Sequence, residues 1–594
     1  MPYFPSLQET ENTVEMLSSF GGYNHNERIS DYEFYDMVNL SSAAYPAATV
    51  RNRRISITKL SKPNGLLEKD ALVWIDGTSI YYNGQDITTE TLGSKGLTLS
   101  DSQKKLVSMG AYLLIWPDKI YINTADYSDC GLMENKTVAG ALSVDSPLNF
   151  TLCKADGSDY EKITTSPTAP EDPENGAIWL DTSGETHALK QYSSATGMWV
   201  SIATTYIRIS HAGIGKGFAK YDGVQISGCT AKGTDGFNGS HILYDVKDDA
   251  ITIIGLLDQS IGQEDGTVTV SRSVPNMDYV TEAQNRIWGC KYGVVGGETV
   301  NEIYCCALGD FKNWEKYLGI SSDSYRASVG TDGVWTGAIT HLGYPMFFKE
   351  NCFHKVYVST SGAHQIVDTQ CRGVQKGSAS SLAIVNEVLY YKGRTGIMAY
   401  DGSLPQEVGA QLGSTLYYEA VGGAFGNKYY CNMRDDKNEW HLFVYDTLRQ
   451  LWYKEDGLTI KAFAKCDDEL YALTDTGIIG LNGIGLNGLG TLDEPVEWSA
   501  TMAPVGYDTA DRKYLSRFNL RLKLPADSWL DVHIQYDSSG EWDYQGRIYG
   551  SGNRTFMLPV RPRRCDHCQI RLSGIGDMLL FSVSRIRENG SDVE

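Results

Sequence analysis

The chain has 594 residues, of which 42% are hydrophobic and 11% aromatic, enough apolar surface for several buried cores and roughly two to four domains. Its 52 Lys and Arg stand against 73 Asp and Glu, a formal charge of −21, which argues against a surface that grips nucleic acid by neutralising phosphates. Residues 501–594 hold 13 of the cations and 12 of the acids, so the body up to residue 500 carries −22.

The N-terminal MPYFPSLQETENTVEM has neither a basic n-region nor an apolar h-region, and no stretch approaches ~18 uninterrupted apolar residues, so neither a cleaved signal nor a membrane span is expected. Residues 1–55 read as an extended polar arm. Such an arm orders only against something else, and residues 1–50 are expected to run along a neighbouring subunit or an adjacent ring. The twelve cysteines are scattered, several inside apolar runs such as IWGC and EIYCC, the pattern of free buried thiols in a reducing compartment.

Beyond the arm, 61 glycines, 37 tyrosines and short Val, Ile and Thr runs bounded by Asn-Gly, Asp-Gly and Gly-Gly predict strands and hairpins. ALVWIDGTSIYYNGQ (71–85) and GAYLLIWPDKIYIN (110–123) are two strand pairs of one kind. The pattern returns at 285–306, 344–359, 386–402, 428–446 and 469–483. In NEVLYYKGRTGIMAYDG (386–402) the turn is expected at Gly393 to Thr395, with glycine supplying positive φ. The first-strand aromatics are Trp74 and Tyr112, 38 apart, then Trp288, Phe347, Tyr390, Tyr429 and Tyr471, at intervals of 59, 43, 39 and 42. Intervals near 40 match a four-stranded propeller blade. The predicted fold is therefore all-β, with a β-propeller of repeated hairpins over 56–163 and 207–500 and its blade number open. A Pro- and acid-rich linker opens 164–206, predicted as a small β insertion module with Trp179, Tyr192 and Trp199. Strict alternation in KYLSRFNLRLKL and SWLDVHIQYD predicts a separate β-sandwich-like domain over 501–594.

Candidate chemistry is sparse. AGIGKGFAKYDG (212–223) lacks P-loop spacing, and Gly483, Gly485 and Gly488 match a dinucleotide fingerprint as text but precede no helix. Cys565 and Cys568 with His567 offer half of a zinc site and no second pair. GTDGVWTG (330–337) falls short of the Asp-box spacing of sialidase-type propellers. Asp435 with Asp436, and Glu455 with Asp456, are carboxylate pairs without a nearby arginine cluster or histidine to set acid and base roles, and read as surface acids. Trp179, Tyr192 and Trp199 fit sugar stacking, or equally the whole core of a module of about 40 residues.

FGGYNHNERISDYEFYDMVNLSS (20–42), with Gly21, Gly22, Asp31, Glu33 and Asn39, is similar to the N-terminal signature of bacteriophage tail nozzle proteins, also called stabilization proteins or tail accessory factors. NRIWGC to NEIYCCALGDFKNW (285–314), with Leu308, Gly309, Asp310, Asn313 and Trp314, resembles their blade. The resemblance covers the arm and the propeller, not clearly the insert or the C-terminal domain. It implies a virion protein of the phage tail, made in the bacterial cytoplasm. Its subunits form a homo-oligomeric ring, expected to be a hexamer, that extends the portal and adaptor, retains packaged DNA and carries spikes or fibres. It implies no catalytic residue, cofactor or metal. A body of −22 suits a conduit that DNA crosses without sticking, with Asp401, Asp435, Asp436 and Asp446 as candidate lumen acids. Two alternatives remain: a tail-tip or receptor-binding protein using the aromatic insert, and a propeller glycosidase, which needs a convergent carboxylate and arginine set.

Overall fold

The computed structural model describes residues 12–140, 147–257, 264, 266–483, 490–493, 495–508, 512–561 and 563–589, whose regular structure is β-strand in twelve sheets apart from five short 3-10 turns. Hairpin turns set the pattern. Between Ala383–Val385 and Val388–Lys392, Asn386 and Glu387 take φ of +49° and +67°, the paired left-handed residues of a two-residue turn. The next hairpin joins Val388–Lys392 to Ile397–Tyr400 as expected, but its glycines act otherwise. Positive φ falls on neither Gly393 nor Gly396, and a Cβ on Gly396 would meet the Glu407 carboxylate at 2.6 Å. Glycine there makes room for the outer strand.

Seven sheets are blades: six are four-stranded antiparallel meanders, and the seventh has a fifth strand, Gly490–Thr491, at its outer edge. Their inner strands are Pro63–Lys69, Lys105–Met109, Tyr279–Ala283, Gly337–His341, Ala383–Val385, Tyr417–Phe425 and Ile460–Cys466, for blades 1 to 7. Successive inner strands pack side by side. Between blades 4 and 5 the contact runs through the turn Ala379–Ser381, and Ile460–Cys466 closes on Pro63–Lys69. Blade 7 takes its outer strand, Ile55–Lys59, from the other end of the propeller sequence, so that Ile478 pairs with Thr58. The protein is an all-β, seven-bladed propeller, the blade number that the sequence left open. Trp74, Tyr112, Trp288, Phe347, Tyr390, Tyr429 and Tyr471 all lie on second strands, one per blade.

The expected propeller span of 56–163 and 207–500 needs correction. After the outer strand of blade 2, Cys130–Leu132, the chain leaves the ring and re-enters at Tyr279. Residues 133–278 build two further four-stranded sheets, Asn135–Gly140 with Thr267–Arg272, Gly223–Ser227 and Gly239–Ile242, and Asn149–Cys153 with Tyr206–Ser210, Ala250–Ile254 and Asp245–Lys247. They share one core of Phe150, Ile207, Ile209, Ile226, Ile253 and Val270. Their alternating strands look locally like blade strands, and only the long-range pairing tells them apart. The module predicted at 164–206 hangs on this sandwich as a third sheet, Ile163–Ser166, Ile178–Asp181, Ala188–Ser193 and Met198–Ser201.

The C-terminal strands form a second sandwich, centred on Lys513–Leu524 in one sheet and on Trp529–Tyr536 and Cys568–Ile575 in the other. The arm completes it. Phe34–Val38 pairs with Glu497–Met502, Asn12–Leu17 and Ala48–Val50 pair with Leu579–Asn589, and Met37 and Leu40 enter the shared core. The expectation that residues 1–50 run along a neighbouring subunit or an adjacent ring is therefore corrected for residues 12–50, which pack within their own chain. Residues 1–11 lie outside the described residues. Phe34–Val38 also packs on Leu451–Glu455, the outer strand of blade 6, and fixes the sandwich to the rim. All twelve cysteines are free and eleven are buried. No helix among the described residues is long and apolar enough to cross a membrane.

Candidate functional site

The seven inner strands enclose a channel of about 710 Å³ on the propeller axis. Its wall mixes aliphatic side chains with polar ones, among them Lys104, Lys105 and Lys461, and its carboxylates among the described residues are Glu282 of blade 3 and Glu419 of blade 6. Glu282, near the end of its strand, accepts the Asn285 N–H at 2.9 Å, and Glu419, near the start of its own, holds Arg434 at 2.8 Å. Inner strands run in one direction, so the two acids stand toward opposite mouths and are not arranged as a pair flanking one bond. Lys461 is paired with Asp475 at 3.1 Å. Lys105 projects into the same channel, where the crowded walls lower its pKa although its side chain stays accessible to solvent.

The acids singled out in sequence have structural partners. Asp435 is buried, and its Oδ1 accepts the Lys437 and Glu439 amides at 2.9 and 2.8 Å while Oδ2 meets His441 Nε2 at 2.9 Å. Asp435, Glu439 and His441 each place a ligand-type atom within 4.8 Å of the others, with the Asp435 oxygens committed to capping the hairpin. Asp446 is buried and accepts the Leu448 and Arg449 amides, both at 3.1 Å, and the Arg449 guanidinium at 3.0 Å. Both are turn-capping groups, which removes them as lumen acids. Asp401 caps its own turn through Ser403, and Asp436 is exposed. Glu455 and Asp456 do have the arginine cluster that local sequence lacks: Arg54 reaches them at 2.7 and 2.8 Å, and Arg51 reaches Asp456 at 3.2 Å. These arginines precede the propeller by sequence and arrive with the arm, about 400 residues from their partners; Arg51, Arg54 and Glu455 are buried, and Asp456 stands at the solvent edge of the network with 44% of its side chain exposed.

Trp179, Tyr192 and Trp199 come together on one face of the insertion module, opposite the Leu180 and Leu189 side chains that pack on the sandwich. Trp199 lies 5.4 Å from each of the other two rings. Trp179 is buried, donates from Nε1 to the Ser166 carbonyl at 2.9 Å and carries the Lys190 ammonium over its face. Lys190 in turn holds the Asp181 carboxyl down to about 2. Tyr192 and Trp199 stay half-buried at the edge of this cluster. The arrangement combines both readings, with one aromatic acting as core and two accessible from solvent.

The motif residues are joints. A Cβ on Gly22 would lie 2.2 Å from the Trp452 carbonyl, so only glycine lets the arm pass blade 6, and one on Gly21 would press on Tyr32 and Glu33. Glu33 accepts from Asn24 at 2.9 Å and from the Ser30 amide at 2.8 Å, shaping the loop, and Asp31 pairs with Arg585 of the C-terminal sandwich at 3.0 Å. Asn39, at φ +62°, donates to the Glu497 carbonyl at 2.8 Å and accepts from Arg51 and the Asp456 amide. In blade 3, Gly309 turns at φ +73° and Asp310 caps Lys312, while Leu308 is 50% exposed. Trp314 is buried between blades 2 and 3. Asn313 accepts the Gly223 N–H at 3.1 Å and donates to the Tyr221 carbonyl at 3.2 Å, tying the blade to the insertion sandwich.

Cys565 and Cys568 are buried and hydrogen-bonded to each other, which raises Cys568 and lowers Cys565. His567 turns away to Ser538 and Asp566, so the three do not converge on one point. Gly483 sits in a turn at φ +73°, and Gly485 and Gly488 lie outside the described residues.

No protein-family model matches the chain, and no curated protein matches it. Among solved structures it is similar to an exo-β-1,3-galactanase from Phanerochaete chrysosporium, at 8% identity and a TM-score of 0.21 over 52% of this chain and 94% of that one. It is also similar to the endosialidase of phage phi92, at 8% identity and 0.24 over 78% and 75%, and to the sialidase of Trypanosoma rangeli, at 8% and 0.21 over 82% and 93%. Identities of this size carry no residue correspondence, and the propeller stands on its own closed ring of seven sheets.

Proposed function

We propose that this chain is a structural virion subunit of a tailed phage: a tail nozzle protein whose copies form a ring, expected to be hexameric, below the portal and adaptor. The ring retains packaged DNA, gives it an exit and offers attachment to spikes or fibres. The observation that carries this reading is the use of the motif residues. Gly22, Asp31 and Asn39 join the arm to blade 6 and the C-terminal sandwich, and Asn313 joins blade 3 to the insertion sandwich. Residues that carry the resemblance thus hold one scaffold in shape, which is the work of an assembly subunit. The −22 of residues 1–500 supports passage of DNA without capture. Electron microscopy of the particle with a tagged copy of this chain tests it: density for a ring on the tail axis is expected, and a tag at the tip of a peripheral fibre would overturn it.

A second reading, receptor binding, is favoured by the two half-buried rings Tyr192 and Trp199 side by side on an appended module. Binding of the full chain to a glycan array, lost on Trp199→Ala, would support it.

A further inference from the structure

The outer face of the six-stranded sheet in the C-terminal sandwich is uncovered. Along Lys513–Leu524, Phe518, Leu520 and Leu522 point into the core, so Arg517, Arg521 and Lys523 point out, and all three are exposed. Their directly paired cross-strand neighbours on that face are uncharged: Ile586 beside Arg517, Ser582 and Thr555 beside Arg521, Leu579 and Asn553 beside Lys523. None of the three makes a salt bridge among the described residues, although Arg517 is near enough to Glu588 on the neighbouring strand to join Tyr514 and Ser516 in lowering its pKa, which leaves Arg521 and Lys523 as the unpaired cations. The same face carries Val14, Met16 and Met557, at 64–66% exposure, through the pairs Val14 with Ile586, Met16 with Ser584 and Asn519 with Met557. Unpaired arginine together with exposed methionine is the composition of a protein interface, not of a solvated sheet face.

The opposite charge is found across the ring. Residues 133–278 contain 10 Lys and Arg and 19 Asp and Glu, a net −9, against +1 for residues 501–594. Asp248 is exposed on the sandwich itself, and Glu171 and Glu174 are exposed on the linker of the small module that hangs on it. The insertion leaves the propeller between blades 2 and 3, whereas the C-terminal sandwich sits on blade 6. In a ring of seven, blade 6 is three and a half blades from that boundary, so the basic face and the acidic sandwich occupy opposite rims of one subunit.

From this geometry we infer that the uncovered basic face of the C-terminal sandwich docks on the acidic insertion sandwich of the next copy, joining subunits head to tail. The inference rests on the reading of the chain as a ring subunit and names the two surfaces that would meet. Unlike patches on opposite rims make a heterologous contact, which propagates around a closed ring where a like-with-like contact would stop at a dimer. Charge complementarity sets the register and the apolar side chains supply contact area.

The test uses the full chain in sedimentation velocity at about 50 mM and about 500 mM salt, where screening separates exposed charge pairs from apolar contact. Wild type is expected to self-associate, with affinity falling roughly tenfold or more at the higher salt. R517E/R521E/K523E and E171K/E174K/D248K alter exposed side chains, so each should unfold at the wild-type temperature and sediment as a monomer. Mixing the two should restore association. Unchanged self-association of R517E/R521E/K523E at low salt would overturn the docking surface while leaving the nozzle reading to particle imaging. A wild-type chain that stays monomeric throughout would overturn it as well. The same variants are titrated with a fluorescent DNA duplex. Loss of duplex binding in R517E/R521E/K523E with self-association intact would give the face to nucleic acid and overturn the inference.

Discussion

Asn39 gathers the arm, the C-terminal sandwich and the blade 6 ion network onto one side chain, and its replacement by alanine can be worked through from the structure. The residue is 4% exposed. Alanine would leave the Glu497 carbonyl, the Asp456 amide and the Arg51 Nε–H without the partners they have at 2.8, 3.0 and 2.8 Å. An abandoned buried polar group costs about 1–3 kcal/mol. The contacts to Glu497 and Asp456 are only part-buried, and Arg51 keeps its contacts to Asp493 and Asp456, so the low end of that range, about 1 kcal/mol, applies to each of the three. Alanine must also hold φ at +62°, which costs about 1 kcal/mol more than asparagine or glycine. The expected loss for Asn39→Ala is about 3–5 kcal/mol, and for Asn39→Gly about 1 kcal/mol less. A chain with several cores does not unfold in two states, so the assay is hydrogen exchange by mass spectrometry. Amides of Phe34–Val38 and Glu497–Met502 should lose roughly two to three powers of ten in protection, and those of blades 1 to 4 none. Protection in both strands within about tenfold of wild type would refute the joint. Glycine as damaging as alanine would refute the backbone part of the argument.

Four further outcomes are expected. Asn313→Ala should expose the Gly223 N–H and Tyr221 carbonyl, costing about 2–4 kcal/mol read as faster exchange in 219–228 with the C-terminal sandwich unaffected. Burial and the nearby Lys349 hold the His354 imidazole down to about 4, so the fold keeps it neutral while the unfolded chain protonates below about 6.5. The stability it contributes is complete above pH 6.5 and is lost as pH falls toward 4, by about 3 kcal/mol; His354→Gln should flatten the unfolding midpoint across that window. Burial alone would raise the Glu264 carboxyl, yet hydrogen bonds from Thr234, Thr230 and Gly266 hold it near 2, so its contribution is present above about 4.5 and lost as pH falls toward 2. Glu264→Gln should lower the unfolding midpoint of the insertion sandwich at neutral pH and remove that acid sensitivity. Trp179→Ala should unfold the small module, at about 3–5 kcal/mol for a buried indole, whereas Trp199→Ala should cost less than half as much; near-UV circular dichroism separates the two.

The blades were legible because of where their second strands lie. A strand sandwiched between neighbouring blades is apolar on both faces, so Trp74, Tyr112, Trp288, Phe347, Tyr390, Tyr429 and Tyr471 sit in short continuous apolar runs closed by tight turns. Even the irregular interval of 59 after Trp288 has a cause, the loop 306–324 that blade 3 extends to hold the insertion. What stayed hidden was partnership. Ile55–Lys59 closes blade 7 with strands more than 400 residues away, and nothing in ISITK marks it as a blade strand rather than part of an arm. YIRIS (206–210) alternates like a blade strand and belongs to a sandwich. The aromatic cluster of the insert was legible as composition, because three large rings in a short module must meet, but which ring is core depended on the Ser166 carbonyl that receives Trp179.

The same limit explains why the candidate chemistry was misread in one place. Glu455 and Asp456 were judged surface acids because no arginine cluster lies near them in sequence. Arg51 and Arg54 are brought to them by the strand that closes the propeller, since Arg54 directly precedes Ile55–Lys59. Closing the ring therefore also delivers the cations that neutralise two acids at the edge of blade 6. Breaking the pair from either side would leave an uncompensated charge in a buried place, which is more damaging than never having had the pair. Ring closure, arm docking and the C-terminal sandwich are thus coupled through residues 51–54, and Asn39 touches the same network through Arg51. The coupling is cooperative: opening any one of the three joints weakens the charge pairing that the others share.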